Sequence, residues 1–294
     1  MINPSKIINI IRKTFRFSKK KIKIGNYVLK LNKDHLLPQF INKFPNYSSN
    51  IGRVAKYISE KYKDIVIFDV GSNVGDTAAF IRNQIDSKIV CFEGNPEFFK
   101  LLKLNIQKMN NIDLFNIYLG DKDCESSYEI IEKNGTSNLF STIKKRDSKR
   151  IIFSKLDTFI KNYNEYKKVK LLKIDTDGFD LKIISGANIF INEIHPIIFF
   201  EFDRRLTTDN LIETINELRQ IGYYRIIFYD NFGNFLLTIS VSEIEIIENL
   251  IAYISLNNSR IIYFDICIFH IEDEDLFKSV IGNEKEYYSN FMIK

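Results

Sequence analysis

The 294-residue chain is 45% apolar and 27% charged, with a formal net charge of +5. Such a composition supports one large core, no apolar run nears the roughly 18 residues that cross a bilayer, and the basic N-terminus lacks the uninterrupted apolar stretch of a secretory leader. Cys91, Cys124 and Cys267 are far apart without a CxxC pair, which argues against a disulfide framework or zinc site, so a cytoplasmic protein is expected.

Positive charge is concentrated at the start. Residues 1–33 hold ten Lys or Arg and no acid against a whole-chain charge of +5, leaving −5 for the rest. Ile7, Ile8, Ile11 and Phe15 recur at helical spacing among those bases. Residues 6–23 could therefore form an amphipathic helix on an anionic membrane or a partner, or stay a solvated extension. Nucleic acid is not expected as a partner, because neither a basic body nor an aromatic stacking platform follows. Ile22-Lys23-Ile24, Gly25-Asn26 and Tyr27-Val28-Leu29-Lys30-Leu31 predict a hairpin with a two-residue turn. The extension is taken as 1–46, a catalytic-type domain as 47–272, and 273–294 as an uninformative tail.

Ser48 or Ser49 is placed to cap a helix to about residue 61, with Ile51, Val54, Ala55 and Ile58 inward. The organising stretch follows: Val66-Ile67-Phe68-Asp69-Val70-Gly71-Ser72-Asn73-Val74-Gly75-Asp76-Thr77 reads as strand, tight turn and helix start. The turn lacks the middle glycine of a dinucleotide fingerprint and the Lys-Ser/Thr of a phosphate cradle, which disfavours pyrophosphate. The next strand, 88–93, ends in Glu93, 24 residues beyond Asp69, where a carboxylate can accept both ribose hydroxyls. A ribose without a pyrophosphate suggests S-adenosylmethionine, whose methionine carboxylate would suit the amides of a helix over 76–83. An ordinary βαβ turn with an exposed acid is the alternative.

Asn95-Pro96 starts a helix that buries Phe98, Leu101, Leu102 and Ile106, and a strand over 113–119 ends at Gly120-Asp121, beside the expected adenine position. Residues 122–155 break the periodicity. Short strand-like runs at 127–131 and 150–154 flank a polar loop, Asn134-Gly135-Thr136-Ser137-Asn138, in an insertion suited to a substrate lid. A helix from Leu156-Asp157 towards Tyr163 leads to the densest cluster.

There Lys173-Ile174-Asp175-Thr176-Asp177-Gly178-Phe179-Asp180 brings three carboxylates to the carboxyl end of a strand, where open parallel sheets bind ligands. They could hold a divalent cation at Asp175 and Asp177, supply a general base, grip sugar hydroxyls, or merely cap a helix. Lys173, odd in a central strand, would pair with one of them or face an open edge. The strand 196–203 ends in Glu201 and Asp203 at the same edge. His195 lies at its other end, roughly 20 Å away at about 3.3 Å per residue, and is set aside as catalytic. His35 and His270 read as surface or structural. Thr208 would cap a helix through Leu218, and strands at 223–229, 235–239 and 261–269 complete the sheet, with a helix from about 242 before the last.

Together, the Asp69–Thr77 turn, Phe92-Glu93-Gly94-Asn95-Pro96, Leu119-Gly120-Asp121, Leu171-Leu172-Lys173-Ile174-Asp175-Thr176-Asp177-Gly178-Phe179-Asp180 and Ser185-Gly186-Ala187 resemble the FkbM family of S-adenosylmethionine-dependent methyltransferases over about residues 64–270. The resemblance implies an α/β class I methyltransferase fold, and a Rossmann-like sheet of order 3-2-1-4-5-7-6 with helices on both faces fits the elements. It also implies methyl transfer to a hydroxyl of a sugar or other small-molecule or glycan acceptor. The Gly71 loop and Glu93 would hold the cofactor, Asp121 would lie near adenine, and Asp175 would stand beside the methyl group. Asp177 and Asp180 replace the family's usual glutamates and reach one methylene less far. The expected cofactor residues are thus Asp69, Gly71, Ser72, Asn73, Gly75, Asp76, Thr77, Glu93, Gly94, Asn95, Gly120, Asp121 and Asp175. Asp175, Glu201 and Lys173 are the catalytic candidates, and Asp177, Asp180 and Asp203 the substrate ligands, with no metal favoured. A glycosyltransferase using Asp175-x-Asp177 and a non-catalytic scaffold tethered by its basic arm remain as alternatives.

Overall fold

A computed structural model describes residues 20–141, 149–256 and 259–292. The arm before residue 20, where the amphipathic helix was expected, lies outside them. The described chain opens with the predicted hairpin, β1 (Lys20–Ile24) and β2 (Tyr27–Leu31), then α1 (Leu37–Lys43) and α2 (Ser49–Lys61). Strand and helix then alternate: β3 (Val66–Val70), α3 (Asp76–Arg82), β4 (Lys88–Phe92), α4 (Pro96–Asn105) and β5 (Ile112–Phe115). The insertion supplies β6 (Tyr118–Leu119), β7 (Cys124–Lys133), β8 (Thr136–Ser141) and β9 (Lys149–Ser154), followed by α5 (Leu156–Phe159) and β10 (Val169–Ile174). Then come α6 (Asp180–Ser185), α7 (Asn188–Ile194), β11 (Ile197–Phe202), α8 (Leu211–Gln220), β12 (Tyr223–Asp230), β13 (Phe235–Ser240), α9 (Ile244–Ile254), β14 (Phe264–His270) and α10 (Glu274–Met292).

The main sheet runs β13-β12-β14-β11-β10-β3-β4-β5. Numbered as a seven-stranded sheet it reads 3-2-1-4-5-7-6, with β13 added outside the last strand. β14 is antiparallel to both neighbours, β11 and β12. Every residue of β3 is buried, as a parallel strand covered on both faces requires. One face packs the hairpin, α2, α3, α4 and Leu276, Phe277 and Val280 of α10; the other packs α5 to α9.

Several local expectations need correction. Neither Ser48 nor Ser49 caps α2: Ser48 is left-handed (φ 54°), and Ser49 Oγ instead donates to Asn46 O at 2.8 Å. The strand expected at 113–119 divides, because the Asn116 side chain donates to Glu93 O (2.7 Å) and Gly94 O (3.1 Å), and Tyr118–Leu119 leaves to pair with β9. The polar stretch 134–138 is a loop only at Asn134-Gly135, whose left-handed φ values of 59° and 93° make a tight hairpin turn between β7 and β8. Asn210, not Thr208, caps α8. The supposed tail is a 19-residue helix, α10, whose fully buried Glu284 is clamped by Arg53 at 2.7 and 2.9 Å.

Candidate active site

The site is built where β3, β4, β10 and β11 end together. At the end of β3, Gly71 adopts φ 79°, and a Cβ there would lie 1.9 Å from Asp175 O. The two motifs found in the sequence are thus in backbone contact, and only glycine permits it. Beneath them Lys173 is buried, 3.1 Å from Asp69 Oδ1, 3.6 Å from Asp175 Oδ2, and donating to Gly71 O at 3.3 Å. Burial alone would lower the Lys173 pKa, but Asp69, Asp175 and Asp76 outweigh it and raise it. An ammonium held this way cannot accept a proton near neutral pH, so the structure makes Lys173 the pin of the turn and not a base.

Glu93 turns inward at the end of β4. Its two carboxylate oxygens accept from the N–H of Asn73 (2.8 Å) and Asn95 (2.7 Å), and each keeps a lone-pair direction free for a ligand. Burial pushes its pKa up to about 7 despite those bonds. It borders a narrow cavity of about 70 Å³ lined also by Gly94, Ile117, Tyr118, Leu119, Phe153 and Phe179. Among the described residues, the buried Tyr118 Oη has no hydrogen-bond partner, as expected of a group awaiting a polar ligand. The chemistry of the residues present fits a nucleoside: a carboxylate for ribose and a flat aromatic and aliphatic slot.

A second cavity, of about 450 Å³, adjoins the first. The two share Gly71, Asn73, Asp175 and Asp177 as lining residues. Asp76, Thr77, Glu201, Asp203 and Lys173 also line the large one. Asp76, Asp177 and Glu201 there are hard to ionise. Burial raises Asp76 to about 6 and Asp177 to about 7, the latter helped by Asp175. Burial and then Asp175, Asp177 and Asp180 lift Glu201 well above the usual range.

Other expected residues fall elsewhere. Asp180 lines neither cavity: it braces the turn, accepting from Thr176 N and Oγ1 and from Glu201 N. Ser72 donates to Asp69 O at 2.7 Å, and Gly75 lies outside both cavities, where it starts α3 at φ 89°. Gly120 and Asp121 are also outside. Once Leu119 joins the insertion sheet, the chain carries Asp121 into solvent, and the cavity wall falls on Ile117, Tyr118 and Leu119. Asp203 is held by Arg205, whose Nε donates to Oδ1 at 2.9 Å.

Sequence reasoning missed much of the large cavity. Tyr47, Asn50, Tyr263 and Asp265 reach it from segments more than 200 residues apart. Asn50 Nδ2 donates to Asp265 Oδ2 at 3.0 Å, and burial brings Asp265 to about 7. The insertion hairpin also closes on the site: Asn73 Nδ2 donates to Gly135 O (2.8 Å), Asn95 Nδ2 to Ser137 Oγ (2.9 Å), and Ser137 N to Asp177 Oδ2 (3.4 Å). The Asn-Gly pair was the available signal for that turn.

Among the described residues, the cluster with ligand atoms near enough for a metal is His195, His270 and Glu272, away from Asp175 and Asp177. The imidazoles stack at 3.8 Å and 12°, and near-parallel rings cannot both aim an in-plane lone pair at one ion.

A family model described as the methyltransferase FkbM domain matches residues 69–224, just over half of the chain. The chain belongs to the FkbM methyltransferase family. No curated protein matches it. Among solved structures, this FkbM chain is similar to the methyltransferase FkbM from Methylobacillus flagellatus KT, at 13% identity and a TM-score of 0.39 over 65% of this chain and 54% of that one. It thus spans about half of that relative's length. It is also similar to M. jannaschii TYW2 in complex with AdoMet (10% identity, 86% of both chains, TM-score 0.40). A third is the Pyrococcus abyssi tRNA (uracil-54, C5)-methyltransferase in complex with S-adenosyl-L-homocysteine (9%, 86% of this chain and 44% of that one, 0.39). Scores of this size carry no argument, and the assignment rests on the family match.

Proposed function

We propose that this FkbM-family protein transfers a methyl group from S-adenosylmethionine to a hydroxyl of a sugar or similar polyhydroxylated acceptor. The observation that carries this reading is the meeting of a slot lined by Glu93 and aromatic side chains with a larger cavity at Gly71, Asn73, Asp175 and Asp177. The cofactor would be held by Glu93 and the Gly71 turn, and when bound it supplies an electrophilic methyl group. The protein's own task is then to align the acceptor oxygen and take its proton. Tyr47, Asn50, Tyr263 and Asp265 offer donors and acceptors for neighbouring hydroxyls. Glu201 lines the larger cavity and, in its ionised form, removes the proton, with Asp175 at the junction positioning the reacting oxygen.

Calorimetry with S-adenosylmethionine and S-adenosylhomocysteine tests the cofactor: binding is expected in the parent and lost in Glu93→Ala. Glu201→Gln should keep that binding while turnover falls about 10²- to 10⁴-fold. A nucleotide sugar that binds where S-adenosylmethionine does not would overturn the proposal in favour of glycosyl transfer through Asp175-x-Asp177. Metal assistance by that pair would appear as activity lost to a chelator and restored by Mg²⁺.

A further inference from the structure

Given the S-adenosylmethionine reading of the narrow slot, on which this inference rests, we propose that the insertion sheet walls the base of the cofactor and that the Tyr118 hydroxyl selects it, accepting from the amino group of adenine. Five residues that line the slot belong to this sheet: Tyr118 and Leu119 of β6, Ser137 and Leu139 of β8, and Phe153 of β9. An insertion whose sequence suits a substrate lid thus also encloses the space beside Glu93. Asp121, the acid that the family resemblance places near adenine, is exposed and lies outside the slot. Another group must then meet the polar edge of the base, and Tyr118 stands on the same segment, just upstream of Asp121.

The polar side chains that line the slot without also lining the larger cavity are Glu93, Asn95, Tyr118, Ser137 and Thr176. Glu93 is placed for the ribose. Asn95 spends its oxygen on Glu97 N (2.8 Å) and Phe98 N (3.4 Å), and its nitrogen on Glu132 Oε1 (3.0 Å) and Ser137 Oγ (2.9 Å). Thr176 Oγ1 donates to Asp180 Oδ2 at 2.9 Å. The Tyr118 oxygen, in contrast, is buried with no partner among the described residues. An unpaired buried hydroxyl costs stability that a phenylalanine would not, so its presence points to a ligand that completes it. Its ring is held in place. It packs on Phe153 with centroids 5.8 Å apart, and a Cβ on Gly94 would overlap it, so the ring rests directly on the backbone that follows Glu93. Burial, then Glu93 and Glu132, raise the pKa of the hydroxyl, which therefore stays neutral and keeps its lone pairs for a donor. The carboxylate expected at this place could only accept, and the donor on the edge of adenine is its amino group, from which a phenol oxygen can accept equally well.

The test is calorimetry on the full chain with S-adenosylhomocysteine and with its analogue carrying hydrogen in place of the 6-amino group, in the parent and in Tyr118→Phe. The parent should bind the analogue about tenfold more weakly than S-adenosylhomocysteine, because the analogue leaves the hydroxyl unpaired. Tyr118→Phe should bind S-adenosylhomocysteine about tenfold more weakly than the parent does and no longer distinguish the two ligands. Thermal melts without ligand show that the variant is folded, and its midpoint should be unchanged or raised, since only an unpaired hydroxyl is lost. A parent that does not distinguish the ligands, or a Tyr118→Phe that keeps the parent's affinity and preference, would overturn the proposal and leave the cofactor reading intact. Loss of the preference in Ser137→Ala but not in Tyr118→Phe would give the base to the serine and overturn it as well. No binding of S-adenosylhomocysteine to the parent would overturn both the proposal and the cofactor reading.

Discussion

Removing the ammonium of Lys173 would leave Asp69 buried without a counter-charge, because these two side chains, 4% and 0% exposed, meet at 3.1 Å. Lys173→Met should therefore cost about 3–5 kcal/mol, read as a lowered urea midpoint. Asp265 presents the opposite case, a half-buried carboxyl with its pKa raised from 3.8 to about 7. Its folded form binds a proton that the unfolded chain releases near pH 4, so its contribution to stability is present below that pH and is lost as pH rises to about 7. Asp265→Asn, neutral throughout, should match the parent at low pH and gain on it through that interval. Paired thermal melts at about pH 4 and about pH 8 check the sign, and a constant difference would refute it. Lys173 was legible as an anomaly in the sequence, since a lysine inside a central strand needs an acid. Asp265 was not: its strand reads as apolar, and its polar neighbour Asn50 is 215 residues away.

At the scale of elements, α10 shows how a tail can carry part of the core. Its sequence has few local signals, yet Leu276, Phe277 and Val280 are buried beneath the sheet and Glu284 meets Arg53 of α2. Glu284→Ala would strand the Arg53 guanidinium in a site with almost no solvent, and a loss of about 3–5 kcal/mol is expected in chemical denaturation. The insertion teaches a related lesson. Its strands alternate exposed and half-buried residues along β7, a pattern visible in sequence, but its closure over Asn73, Asn95 and Asp177 depends on a fold between distant segments.

For the molecule as a whole, the sheet edge gathers the glycine turn, the acidic cluster and the larger cavity into one continuous opening. A ligand filling it binds the folded chain alone. S-adenosylhomocysteine at a hundred times its dissociation constant should then stabilise the protein by about 2.7 kcal/mol, seen as a raised thermal midpoint that Glu93→Ala abolishes. An unchanged midpoint in the parent would count against the slot as the cofactor site.

The sequence by itself determined the alternation of strands and helices, the glycine turn after β3, and the acids at the strand ends, because hydrophobic period, φ > 0 and strand polarity are local properties of the chain. Tertiary structure alone decided that Asp121 leaves the cavity, that Asp180 braces a turn, that Lys173 is a pin, and that Tyr47, Asn50, Tyr263 and Asp265 converge on one space. Those outcomes depend on which distant backbones pack together and exclude water, and no window of sequence contains that information.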